Sequence, residues 1–194
     1  MTKAKKPKHT IEIHAESDLS MEELLGNDWT VFSFCSKHCN YVSRDTYFSG
    51  EGKLLYRHRK RFSAGNGFAL SYFEHSNCVW SLQGEGPYCK FDSVHTAGVA
   101  LRTYFGHDYA AMDYEARKAD CREFMDRYTD WANGAVHTIV VKDKEDEIVD
   151  SATVLGDSSK LAETIRAMMS KKIRPETTVV LQNAPGLTWE DIFK

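Results

Sequence analysis

The residues best suited to chemistry crowd into one short run, Cys35-Ser36-Lys37-His38-Cys39. Two thiolates and an imidazole within a turn can clamp zinc, with Cys78 or Cys89 as a further ligand. Structural zinc sites usually pair short cysteine spacings twice, and Cys78 and Cys89 have no such partner motif. The competing reading makes Cys35 and Cys39 two small residues at the end of a buried strand. No metal and no cofactor are therefore expected, with Cys35, His38 and Cys39 kept as the weak candidate metal set. A second group, His75, Cys89, Asp92 and His95, supplies the nucleophile, base and orienting carboxylate of a small hydrolase, and Trp80 is a further candidate beside it. No Gly-x-Ser-x-Gly elbow fixes a serine site.

The sharpest local feature is Lys53-Leu54-Leu55-Tyr56-Arg57-His58-Arg59-Lys60-Arg61-Phe62. Cations next to aromatic rings can hold phosphates and stack bases, which makes Lys53, Tyr56, Arg57, Arg59, Lys60 and Arg61 the candidate binding residues. The alternative is a solvated strand edge, where lysine and arginine discourage aggregation. The formal net charge of −3 excludes a generally basic nucleic-acid binder, so any such contact must come from this local patch. Asp143-Lys144-Glu145-Asp146-Glu147 places acidic charge elsewhere, and that asymmetry suits docking to a protein or nucleoprotein.

Other motifs carry less. His95-Thr96 and His137-Thr138 invite comparison with phosphodiesterases that use paired histidines as acid and base, but there the hydroxyl lies two positions on and shares the histidine's strand face, whereas here it lies one position on and faces the opposite way. Gly65-Asn66-Gly67 and Gly84-Glu85-Gly86 are too short to cradle a phosphate. Cys78, Cys89 and Cys121 read as free thiols, because an odd cysteine count in a chain of 194 residues does not suggest a disulfide framework.

The elements that must position these groups follow from periodicity. Residues 1–8 form a basic tail, and 9–194 read as one domain in which 36–67 is a loop-rich insertion with one strand at Lys53 to Tyr56. Strands are expected at Thr10 to Ala15, Trp29 to Cys35, Phe68 to Glu74, Cys78 to Gln83, Gly98 to Tyr104, Ala135 to Lys142, Glu147 to Val154 and Thr177 to Leu181. Asp18 or Ser20 caps a short helix through Leu25. Asp113 to Trp131 is the clearest helix, with Tyr114, Arg117, Cys121, Phe124, Met125 and Tyr128 on one stripe. Asp157 opens a last helix to Lys171. The irregular mixture predicts an α+β fold: a mixed or mainly antiparallel sheet, a long central helix and a C-terminal helix packed on the sheet.

Parts of this order resemble small, commonly uncharacterised accessory proteins of bacteriophages and plasmids. The motifs are Tyr128, Trp131-Ala132-Asn133-Gly134, Ile139-Val140-Val141, Ile148-Val149-Asp150-Ser151 and Leu155-Gly156, preceded by Tyr72, His75-Ser76, Trp80-Ser81-Leu82, Phe91-Asp92-Ser93 and Gly98-Val99. The resemblance covers roughly residues 68–170. Ala152-Thr153 stands where Cys-Trp is usual, and Asp92-Ser93 lacks the immediate glycine. What the resemblance implies is a mobile-element origin and a host-directed role, without catalytic residues. The expectation is a non-enzymatic, cytoplasmic phage protein that binds and inhibits a host protein or nucleoprotein complex, of the anti-defence type. The alternatives are a nucleic-acid binder using 53–61 and a small hydrolase. Apolar runs are too short for a membrane helix, so no membrane partner is expected. The oligomeric state stays open.

Overall fold

The computed structural model describes residues 9–16, 19–35, 40–172 and 177–182. In chain order its elements are β1 (His9–Ala15), α1 (Met21–Leu25), β2 (Trp29–Ser33), α2 (Tyr56–Ser63), β3 (Gly67–His75), β4 (Asn77–Leu82), β5 (Ser93–Arg102), α3 (His107–Ala111), α4 (Tyr114–Ala132), β6 (Val136–Asp143), β7 (Ile148–Leu155), α5 (Ser158–Lys172) and β8 (Thr177–Gln182). The fold is α+β, and the strands divide between two four-stranded sheets, β7-β6-β1-β8 and β2-β5-β3-β4. The chain forms two compact units, one of Ser20–Thr129 and one of Met1–Leu19 with Asp130–Lys194. The expected tail 1–8 lies outside the described residues.

In the split unit, β1 pairs antiparallel with β6 and parallel with β8. Alternation decides the faces: Ile11 opposes Val141 and Ile13 opposes Ile139, and these join Val154, Leu161, Ala162 and Ile165 in one core. Burying a side chain of this kind contributes about 1.5–3 kcal/mol, so the pattern holds the C-terminal helix α5 onto the sheet as expected. Asp157 opens that helix by accepting from the backbone N–H of Ser159 and Lys160. At the β6–β7 tip, Asp143 accepts from Glu145 and Glu147 N–H, and the four residues that follow Asp143 stay exposed.

In the continuous unit, β3 and β4 form the expected hairpin, with His75 opposite Asn77 and Ser76 at φ 70° between them. The long helix buries Cys121, Phe124, Met125 and Tyr128, four of the six stripe residues, while Tyr114 stays 44% exposed. Tyr128 meets Trp80 edge-on, and Trp80 meets Tyr72 at 4.9 Å between ring centres. Ser20 is the cap seen, Asp18 lying outside the described residues: its hydroxyl accepts from Glu23 N–H, while its own N–H reaches the Glu23 carboxylate at 2.8 Å.

Two expectations are corrected. Lys53 to Tyr56 is not a strand: Leu54 makes a single bridge to Phe48, and the chain then enters α2. Arginine, lysine and leucine are good helix formers, and alternation over so few residues cannot outweigh that preference. The first half of β5, from Ser93, was also missed because its exposed Val94 and His95 break the apolar run. Residues 41–62 supply Tyr47, Phe48, Val42, Leu54 and Phe62 to a core shared with Val99 and Leu101. The stretch read as loop-rich is thus the cover of one part of this sheet.

Candidate functional site

α2 presents two unlike sides. Phe62 packs into the core with Tyr47, Phe48 and Leu101, and the His58 ring lies 4.7 Å from that of Tyr47. A turn of 3.6 residues puts Tyr56, Arg59, Lys60 and Ser63 on the far side from His58 and Phe62. Tyr56 is 85% exposed, Arg57, Arg59 and Lys60 are exposed, and Arg59 lies over the Tyr56 ring at 5.8 Å. Arg57 donates to the Thr46 carbonyl at 2.7 Å yet stays in solvent. The Lys60 ammonium has no partner among the described residues.

The remaining cations of the run do other work. Arg61 donates to the carbonyls of Asn66 at 3.2 Å and Arg102 at 2.6 Å, tying the helix to the β3 and β5 ends. Lys53 pairs with Glu51 at 2.8 Å, both side chains being largely exposed. Gly65 ends the helical segment at φ +72°, where a Cβ would lie 3.2 Å from the Arg117 side chain, so both conformation and space favour glycine.

Beneath this end sits a group that sequence reasoning missed. Arg102 is 5% exposed, donates to the Tyr104 carbonyl at 2.6 Å, and pairs with Asp120 at 3.2 Å and Asp28 at 3.4 Å. Its guanidinium lies 4.1 Å from the Tyr109 ring centre, and Arg117 lies 4.9 Å from the same ring. Trp29 donates to Asp120 at 2.7 Å. Burial pushes the Tyr109 hydroxyl up to about 12, so it stays protonated and donates to the Gly65 carbonyl at 2.7 Å. No motif announces this set, because Trp29 and Asp120 are 91 residues apart.

Near the start of β5 the surface is concave. One cleft of about 550 Å³ is lined by Phe34, Cys35, Tyr72, Glu74, Phe91, Asp92, Ser93 and Val94. A second, of about 500 Å³, runs along Gly84 to Tyr88, Ser71 and Ser93 to His95. Phe91 is 88% and Tyr88 75% exposed at their rims. Glu85 anchors the intervening loop to α4: Arg122 grips it through two bonds of 2.8 and 2.9 Å, and Lys118 lies at 3.0 Å. Arg122 first and then Lys118, against the opposing effect of burial, hold the Glu85 carboxyl down at about 2.

Of the hydrolase set, the structure brings His75 and Asp92 to 3.5 Å, with His75 76% exposed. Asp92 lines the first cleft and His95 the second. Cys89 is half-buried, and its N–H is bonded to the Ser93 hydroxyl. Trp80 is only 1% exposed and is a core residue. Cys35, Cys78, Cys89 and Cys121 carry thiols, not disulfides, and burial pushes Cys78 and Cys121 up, which keeps them protonated. His38 and Cys39 lie outside the described residues, among which no three His, Cys, Asp or Glu side chains gather as a metal site. No described helix is long and apolar enough to cross a membrane.

Comparison with known proteins adds nothing to this geometry: no family model, curated protein or solved structure matches the chain.

Proposed function

We propose that this chain is a non-enzymatic accessory protein that docks on a host nucleoprotein complex and inhibits it, with α2 meeting the nucleic acid. The accessory, host-directed setting is what the resemblance to phage and plasmid proteins implies, and on this reading the protein acts in the host cytosol. The nucleic-acid contact comes from one observation: Tyr56, Arg57, Arg59 and Lys60 stand in solvent on a helix pinned from its opposite side by Phe62 and Arg61. A held helix presents its cations without first paying the entropy of ordering them. An exposed ring flanked by guanidinium and ammonium groups fits a single strand, whose phosphates take the charge and whose bases stack.

Fluorescence anisotropy with single-stranded and duplex oligonucleotides across a salt series tests the contact. Three engaged phosphates give a slope of log affinity against log salt of about −2 to −3. Binding that is absent, or indifferent to salt, removes the nucleic-acid part of the reading. Capture from host lysate then tests the partner, and a stoichiometric complex lost on nuclease treatment supports a nucleoprotein.

A second reading, a host protein contacted directly, draws on the exposed Tyr88 and Phe91 at the cleft rims. It predicts capture that survives nuclease treatment and is unaffected by Lys60→Glu. A hydrolase at His75, Cys89, Asp92 and His95 has less support, resting on the single exposed His75 to Asp92 contact.

A further inference from the structure

The cleft beside Phe91 has a composition opposite to that of α2. Its lining includes three aromatic rings, Phe34, Tyr72 and Phe91, and two carboxylates, Glu74 and Asp92, and among the described residues no lysine or arginine lines it. We propose that this cleft is a binding site for an organic cation, a guanidinium or alkylammonium group, held between the aromatic walls and the Asp92 carboxylate.

The chemistry follows from the walls. An aromatic face carries a negative quadrupole that attracts a cation and also tolerates its apolar stem, whereas phosphate or carboxylate ligands would meet two like charges here. A volume of about 550 Å³ falls in the range of small-ligand sites and exceeds what one side-chain head group fills. The frame is fixed by backbone: the Glu74 N–H donates to the Asp92 carbonyl at 3.0 Å, and Phe73 pairs with Ser93, so both carboxylates hang from adjoining strand ends. Phe34 is packed against Tyr47 and Phe48, which leaves the aromatic wall little freedom to collapse. Phe91 is different. At 88% exposure it gains little from the fold, and with Val94, 43% exposed in the same lining, it leaves apolar surface at the mouth of the cleft that the stem of a cation can cover. The competitor already present is His75, 3.5 Å from Asp92 and itself 76% exposed, so an entering cation can displace it at small cost.

A free cation and one on a partner's side chain share this chemistry, and the two sources separate by experiment. Titration of the intact protein, without nucleic acid, uses arginine amide, tetramethylammonium and a short peptide with a central arginine, with a glutamate peptide as control. The expected result is saturable binding of the cationic probes and none of the control. Asp92→Asn and Phe91→Ala should each weaken it by about tenfold. A peptide that binds much more tightly than arginine amide marks a protein-borne cation, and equal affinities mark a small free one. No saturation, or equal affinity in the wild type and both variants, overturns the site. Both changes fall at solvent-facing positions, and unchanged circular dichroism excludes misfolding as the cause. Because no nucleic acid is present, failure here leaves the α2 reading standing, and the reverse holds too.

Discussion

α2 and the Phe91 cleft border opposite ends of the same strand pair. The basic helix leads into Gly67, opposite Leu101, while the cleft borders Phe73, opposite Ser93. One end presents cations around an exposed tyrosine, and the other presents carboxylates among aromatic walls. The formal charge of −3 averages these away. A net charge governs solubility and long-range steering, whereas recognition depends on which charges share a face. A nucleoprotein offers both phosphates and basic side chains, so two oppositely charged surfaces in one unit suit such a partner better than either does alone.

The strongest way to break this comparison is to reverse one pole. Arg57→Glu, Arg59→Glu and Lys60→Glu together should lower oligonucleotide affinity by about a hundredfold at moderate salt, since three phosphate contacts become repulsions. The same variant should bind arginine amide as the wild type does. Loss of both activities would mean that the poles are not separate surfaces.

Next in size is the anchor of the helix. Phe62→Ala removes a half-buried ring from the core around Tyr47 and Leu101 and should cost about 2 kcal/mol in denaturant unfolding. Phe91→Ala removes a ring of equal size at 88% exposure and should change stability by less than about 0.5 kcal/mol. Equal costs would show that Phe91 is a structural residue.

Acid should separate the Glu85 loop from the split unit as well. Arg122 and Lys118 hold the Glu85 carboxyl at about 2, well below its ordinary 4.5. A depressed carboxylate contributes stability that is fully present above 4.5 and is lost as pH falls toward 2. The loop carrying Tyr88 should therefore loosen in that window, read as lower amide protection at Gly84, Glu85, Gly86 and Tyr88 relative to the intrinsic exchange rate at each pH, and Glu85→Gln should remove that change in protection. The split unit has its own response. Burial lowers the pKa of His137, so its contribution is complete above about 6.5 and declines as the pH falls below that value. His137→Gln should flatten that decline.

How much of this could be read in the sequence depended on how each residue is held. α4 was legible because Cys121, Phe124, Met125 and Tyr128 repeat at helical spacing, and the β6–β7 hairpin because alternation stops at a charged tip. α2 was not, since the residues that turn inward over its eight positions are His58, Arg61 and Phe62, of which Phe62 alone is apolar, and no stripe emerges. The cation–aromatic character of 53–61 was visible, but its division into exposed Lys60 and docked Arg61 depends on carbonyls of Asn66 and Arg102 that no local pattern points to. The cleft was hidden for the same reason. Asp92 and His75 were singled out, whereas Phe34, Tyr72 and Phe91 join them only through strand pairing.

The smallest effect is the sharpest test of that division. Lys53 and Lys60 are both exposed lysines seven positions apart in one basic run, and the sequence gives no reason to rank them. In the fold, Lys53 precedes the helix and lies 2.8 Å from Glu51, in a pair whose side chains are both 76% exposed. Such a pair adds little to stability, and its neutralised cation adds little to a phosphate site. Lys53→Ala should leave oligonucleotide affinity within a factor of about two, with the salt slope unchanged, whereas Lys60→Ala should reduce that slope by close to one. Equal losses at the two positions would mean that any cation in the run serves equally, and that the ordered face of α2 confers no selection among them.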